Sequence, residues 1–126
     1  TKISAVDEIK DKVAQIGCEL DPSGDYHVSV AGHGMAGGMA TVLGYFLASD
    51  PAFQSASAVR VFSFASSRIG DVNFQNSFRH LEISGRILHA RFTNSHDLSF
   101  LPLFSLSENW MLCGFYKVSH SRFRSS

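Results

Sequence analysis

Four glycines, Gly32, Gly34, Gly37 and Gly38, crowd into seven residues between a short β-branched run and a long apolar one. Tyr26 to Ala31 (Tyr, His, Val, Ser, Val, Ala) reads as a buried strand that enters a loop at Gly32. Met35 to Ala48 is almost entirely apolar or small, with Met39, Val42, Leu43, Phe46 and Leu47, and reads as a helix buried deeply against a sheet. Glycine supplies positive φ and lets two backbones approach closely. A strand that turns at once into a helix is half of a βαβ unit, so the chain is expected to build a parallel α/β sheet.

The rest of the chain repeats the alternation. Ile3, Val6, Ile9, Val13, Ile16 and Leu20 recur at steps of three and four with charged residues between them, an amphipathic helix. The turn cluster Asp21 to Asp25, with Pro22 and Gly24, ends it. Ser49, Asp50 and Pro51 close the second helix, a loop of small residues follows, and Val59 to Phe64 reads as the next strand. After the loop Ala65 to Gly70, Asp71 can cap a helix running to about Leu81, in which Phe74, Phe78 and Leu81 share a face. Gly85 ends that helix, and Ile87 to Phe92 is the third strand, leading into Asn94, Ser95, His96 and Asp97.

The expected fold is therefore α/β: a parallel sheet of three to four strands flanked by helices in βαβαβ order, the fourth strand falling near Met111 to Val118. Right-handed crossovers place the glycine turn and Asp97 at one edge of the sheet, the carboxyl ends of the strands, where such folds carry their sites. Residues 1–126 read as one domain, with an apolar loop at Leu98 to Phe104 and a polar, basic stretch at Ser119 to Ser126. A sheet this small needs cover on both faces, so flanking sequence is expected, and the opening Thr1 suits a processed or partial chain.

Composition excludes several function classes. Eleven basic and eleven acidic residues cancel, leaving no global field for nucleic acid or an anionic membrane. No run approaches the ~18 apolar residues of a membrane span, and no basic-then-apolar leader opens the chain, so it reads as soluble. Cys18 and Cys113 lie far apart, without metal-ligand or disulfide-framework spacing, and read as two buried free thiols. The six histidines lack the His-x-x-x-His spacing of a metal site, and no metal or cofactor is expected.

Two chemistries can be read from the glycine turn. In the nucleophile elbow, Gly-x-Ser-x-Gly, the serine sits on a sharp strand-to-helix turn and its neighbours two before and two after must be small. Gly32 and Ala36 meet that demand, while Gly34 occupies the serine's place without its oxygen. Alternatively, Gly32, Gly34 and Gly37 satisfy Gly-x-Gly-x-x-Gly, which brings backbone N–H groups to a dinucleotide pyrophosphate. The second strand ends without the usual ribose-binding acid, so a Rossmann-like reading would use Arg68 to hold the 2′-phosphate of a nicotinamide dinucleotide phosphate. Close packing of helix on strand without any ligand also accounts for such glycines.

Three segments read together favour the first chemistry. Val28 to Ala40 resembles the Thr-Gly-His-Ser-Leu-Gly-Gly-Ala-Leu-Ala signature of the fungal lipase-type family, the class three lipases. Phe62 to Asp71 (Phe-Ser-Phe-Ala-Ser-Ser-Arg-Ile-Gly-Asp) resembles that family's Ser-Phe-Gly-Ser-Pro-Arg-Val-Gly-Asn block. Asn94 to Asp97, with Leu101 and Pro102, resembles its Asn-x-x-Asp-x-Val-Pro segment. Order and spacing agree over roughly residues 26–104. The resemblance implies a partial α/β-hydrolase core, truncated at both ends, and an ancestry in the hydrolysis of acylglycerols, phospholipids or galactolipids.

Carried onto this chain, the resemblance makes Asp97 the triad acid, Met35 the donor of one oxyanion-hole N–H, and Gly34 a vacant nucleophile position. His120 is the sole histidine downstream of Asp97 and matches no family motif; it reads as solvent-exposed. His33 precedes the vacant position and reads as structural, His96 adjoins Asp97, and His89 reads as a satisfied sheet residue. Ser29, Ser63, Ser66 and Ser67 lie on or just after strands, so none is expected to replace the missing hydroxyl. The chain is expected to be an inactive lipase-like domain, with a lipid or acyl-ester ligand suggested by Phe100, Leu101, Leu103 and Phe104, unless that run is simply core.

Overall fold

The computed structural model describes residues 4–54 and 56–93. Helix α1 spans Ala5–Leu20 and is capped by Ser4, whose side chain accepts from the Val6 N–H. Strand β1 is Ser29–His33, helix α2 Met35–Ser49, strand β2 Val59–Phe64, helix α3 Val72–Ile83 and strand β3 Ile87–Phe92. The three strands are all parallel in the order β1-β2-β3. Both α2 and α3 return the chain to a parallel neighbour on the same side, as right-handed crossovers in unbroken order require.

The core forms between the sheet and α2. Val28, Leu47, Ala48, Phe53, Val59, Val61, Phe78 and Ile87 are its buried residues. On α2 the buried positions are mostly small, Gly37, Gly38, Ala40, Thr41, Gly44 and Ala48, so the helix axis lies close to the sheet. A β-carbon at Gly44 would collide with the Val61 side chain. Asp71 caps α3 by accepting from the Phe74 N–H at 2.9 Å, as the sequence leads one to expect, and the Arg86 N–H closes its far end by donating to the Leu81 carbonyl at 2.9 Å, while the Arg86 guanidinium donates to the Ala48 carbonyl of α2 at 3.1 Å.

Several expectations are corrected. β1 begins three residues later than Tyr26 and includes Gly32 and His33, because the ladder to β2 continues through Gly32↔Ser63 and His33↔Phe64. The loop of small residues opens with a 3-10 turn at Pro51–Phe53, where Asp50 accepts from the Ala52 N–H and Phe53 plugs the core. Cys18 is exposed rather than buried, since it lies on the outer side of α1; Cys113 falls outside the described residues. Helix α2 is buried on one side only, with Met35 and Met39 exposed by 83% and 68%. The stripe of α1 is likewise half covered: Val13 and Ala14 pack on the core while Ile9, Ile16 and Leu20 stay exposed. The fourth strand expected near Met111 to Val118 lies outside the described residues.

Candidate functional site at the strand-to-helix turn

β1 passes directly into α2 through Gly34, at φ 61° and ψ −124°, a backbone conformation L side chains rarely adopt. The turn is held at both ends. Gly34 donates its N–H to the Phe64 carbonyl at 2.8 Å, the last rung between β1 and β2, and its own carbonyl accepts from the Gly37 N–H at 3.1 Å.

The small neighbours have a steric cause. A β-carbon at Gly32 would collide with the backbone carbonyl of Ala36, and one at Gly37 would lie 2.7 Å from the Ser66 β-carbon. Strand, helix and the loop after β2 are thus packed backbone against backbone. At Gly34 the reverse holds, because an added β-carbon meets nothing within 4 Å among the described residues. Among the described residues, position 34 therefore faces open space on a turn whose shape is set by its neighbours.

Met35 opens α2, and its N–H belongs to the first helical turn, which has no acceptor inside the helix. Gly34 offers these donors no side-chain cap, and the Gly37 N–H is taken up by the Gly34 carbonyl. Beside them, Val6, Ile9, Val30, Met35, Met39 and Val42 are among the residues lining an apolar groove of about 570 Å³ between α1, β1 and the start of α2. Ser67 and Ile69, from the loop after β2, close its near end. That loop starts at Ala65, with φ 48° the only non-glycine residue at positive φ among the described residues. Ala65 stands where the lipase block quoted above has glycine, and its N–H holds β3 by donating to the Phe92 carbonyl at 2.8 Å. Arg68, in the same loop, is exposed.

Asp97, His96 and His120 lie outside the described residues, so the structure brings Gly34 and Met35 together without locating a triad acid. His33 ends β1 and is exposed. The unforeseen contact is between Ser63 and His89: Ser63 Oγ lies 2.9 Å from His89 Nε2, across the neighbouring strands β2 and β3. This serine–histidine pair faces α2 and α3, and Ser63 is only 1% exposed. The space around it, bounded by Thr41, Ser66, Ser67 and Arg91, is about 10 Å³, room for no more than one water. The pair is therefore closed to any ester.

His89 is half satisfied, not fully satisfied: its Nδ1 is buried without a partner. Burial, and secondarily the positive charge of Arg91, lowers its pKa to about 4, so the ring is neutral near pH 7. Glu82 also has a buried oxygen without a partner, and burial raises its pKa. No group of three or more His, Cys, Asp or Glu is placed to hold a metal among the described residues. No helix of those residues is long and apolar enough to cross a membrane.

A family model described as Lipase (class 3) matches residues 2–104, most of the chain, so the chain belongs to the class 3 lipase family. No curated protein and no solved structure matches it significantly.

Proposed function

With membership of the class 3 lipase family as the premise, we propose that this domain holds acyl-ester lipid in the groove beside the β1–α2 turn and does not hydrolyse it. One observation carries the reading: residue 34, in the elbow's nucleophile position, has φ 61° and open space ahead of it, yet is glycine. Without an attacking oxygen, hydrolysis is limited to what charge stabilisation and binding supply, roughly 10³–10⁴-fold over water in enzymes stripped of a triad member. The Met35 N–H is one donor to an ester carbonyl oxygen, and Asp97 has no nucleophile to serve.

The groove suits an acyl chain. Its volume falls in the roughly 300–1,000 Å³ range of small-molecule sites, and its walls are aliphatic side chains and two flexible methionines. The dinucleotide reading of Gly32, Gly34, Gly37 and Arg68 has less support, because Gly32 and Gly37 are already accounted for by contacts with Ala36 and Ser66. Absence of binding at millimolar nicotinamide dinucleotide phosphate would end it.

The test uses the whole chain. No turnover of short-chain nitrophenyl esters or emulsified triacylglycerol is expected, alongside flotation with phosphatidylcholine or acylglycerol-containing vesicles that Met39→Glu weakens. Hydrolysis that survives Asp97→Ala would overturn the assigned site, and failure to float with any vesicle would overturn lipid binding.

A further inference from the structure

Strand β3 pairs with β2 on one side only, and its other side is open among the described residues. The Arg86 and Phe92 carbonyls accept from the Val59 and Ala65 N–H groups, so even-numbered residues turn their main chain towards β2 while Ile87 and His89 turn theirs outwards. Those outward N–H and C=O groups have no partner among the described residues. Natural sheets commonly blunt such an edge with lysine or proline, and Ile87–Phe92 contains neither. A groove of about 350 Å³ runs along the edge, with Leu88 and Ala90 on one side of the strand and Glu82 and His89 on the other. In it stand two buried atoms without a hydrogen-bond partner, Glu82 Oε1 and His89 Nδ1.

We infer that two copies of this chain join through this edge, β3 against β3, antiparallel about a two-fold axis at Leu88. In that register Ile87 of each copy exchanges main-chain hydrogen bonds with His89 of the other, and Leu88 meets Leu88 at the axis. Every outward group named above is then paired. Leu88, 57% exposed in the single chain, gains an apolar cross-strand neighbour. Ile87 and His89 share the helix side of the sheet, so Glu82, beside Ile87 in the groove, is brought towards His89 of the other copy, twice by symmetry. A carboxyl thus meets an imidazole where each lacks a partner.

Charge permits the contact. Arg60 and Glu82, the charged residues of the groove, are opposite in sign, and the exposed Arg79 favours the ionised form of Glu82 within its own copy. Arg86 and Arg91 direct their guanidinium groups inwards, to the carbonyls of Ala48 and Gln54 and of Ser66. Growth by strand addition, β3 onto β1, is disfavoured because α1 flanks the outer side of β1, where Val6 and Ile9 share a groove with Val30 and Ala31. A two-fold pair closes on itself.

The paired segment is short, so a weak dimer with a micromolar dissociation constant is expected. Sedimentation of the full chain from low to high micromolar concentration should show a reversible monomer–dimer equilibrium. Leu88→Glu sets like charges face to face at the axis and should weaken the dimer at least about tenfold, with circular dichroism retained. Disulfide trapping reads the register. In a Cys18→Ser, Cys113→Ser background, oxidised glutathione should convert Leu88→Cys to a covalent dimer, because the facing α-carbons lie about 4.5 Å apart. Ala90→Cys should stay unlinked, since its two copies stand about 14 Å apart along the strands. Should Leu88→Glu unfold, the trapping decides. A chain that is monomeric at every concentration would overturn the inference and leave the edge to another partner. So would a dimer that folded Leu88→Glu leaves intact, or one that Ala90→Cys links and Leu88→Cys does not.

Discussion

The β-carbon that Gly32 lacks would occupy the position of the Ala36 carbonyl, so the strand before the turn and the helix after it touch through main chain alone. Gly32→Ala must therefore separate β1 from α2, or lose the ladder rung to Ser63. A loss of at least about 2 kcal/mol is expected, in the range for core overpacking, with the midpoint of urea unfolding as the readout. A loss below about half a kilocalorie would mean that the turn is laxer than its contacts imply.

Gly34→Ser differs in kind. The added atoms meet open space, so the cost is confined to a φ of 61° for a residue with a β-carbon, on the order of 1–3 kcal/mol. The variant should fold, melt lower than the parent, and keep its circular dichroism spectrum. Reaction of the new hydroxyl with an organophosphate, scored by intact mass, would show that the elbow still presents position 34 to a substrate.

Ala65→Gly should stabilise. Ala65 sits at φ 48°, where a β-carbon costs roughly 1–2 kcal/mol, and the entropy that glycine adds to the unfolded chain offsets part of the relief. The expected gain is on the order of 0.5–1 kcal/mol, seen as a higher melting temperature. A lower melting temperature would show that the methyl group has a packing role.

Acid should loosen the seam around His89. Its pKa is about 4 in the fold against about 6.5 unfolded, so the unfolded chain binds more protons through this window. The stability that neutral His89 provides is full above about pH 6.5 and is lost progressively as the pH falls towards 4, on the order of 2–3 kcal/mol in total. Glu82, whose pKa is raised, works in the opposite sense, because folding favours its protonated form. The difference between the parent and His89→Gln isolates the histidine: their stabilities should converge at low pH, and a constant gap from about pH 7 to about pH 4.5 would contradict the assignment.

Much of the fold can be read from periodicity and punctuation. Val59–Phe64 and Ile87–Phe92 agree residue for residue between sequence and structure, because β-branched and aromatic runs there end at turn formers. Asp71 as a cap follows from its place before Phe74 and Phe78. β1 begins at Ser29 rather than Tyr26 since pairing with β2, which a single strand's sequence does not encode, sets its start. Phe53 leaves no sequence signal because one aromatic among small residues has no period, though it is 2% exposed. The elbow is visible because glycine spacing records a steric demand. The Ser63–His89 contact is not, because it joins residues 26 apart through strand register. The exposure of Cys18 is hidden for a related reason, since a thiol's tendency to be buried says nothing about which side of α1 it occupies.

The contacts at Gly32, Gly37 and Phe64 shape the loop-like junction that residue 34 occupies, while residue 34 itself touches nothing with a side chain. On the proposed reading, architecture and reactivity belong to different positions, and one can be erased while the other is inherited intact. A lineage can silence such a domain by a single exchange and still keep a scaffold able to accept the hydroxyl again.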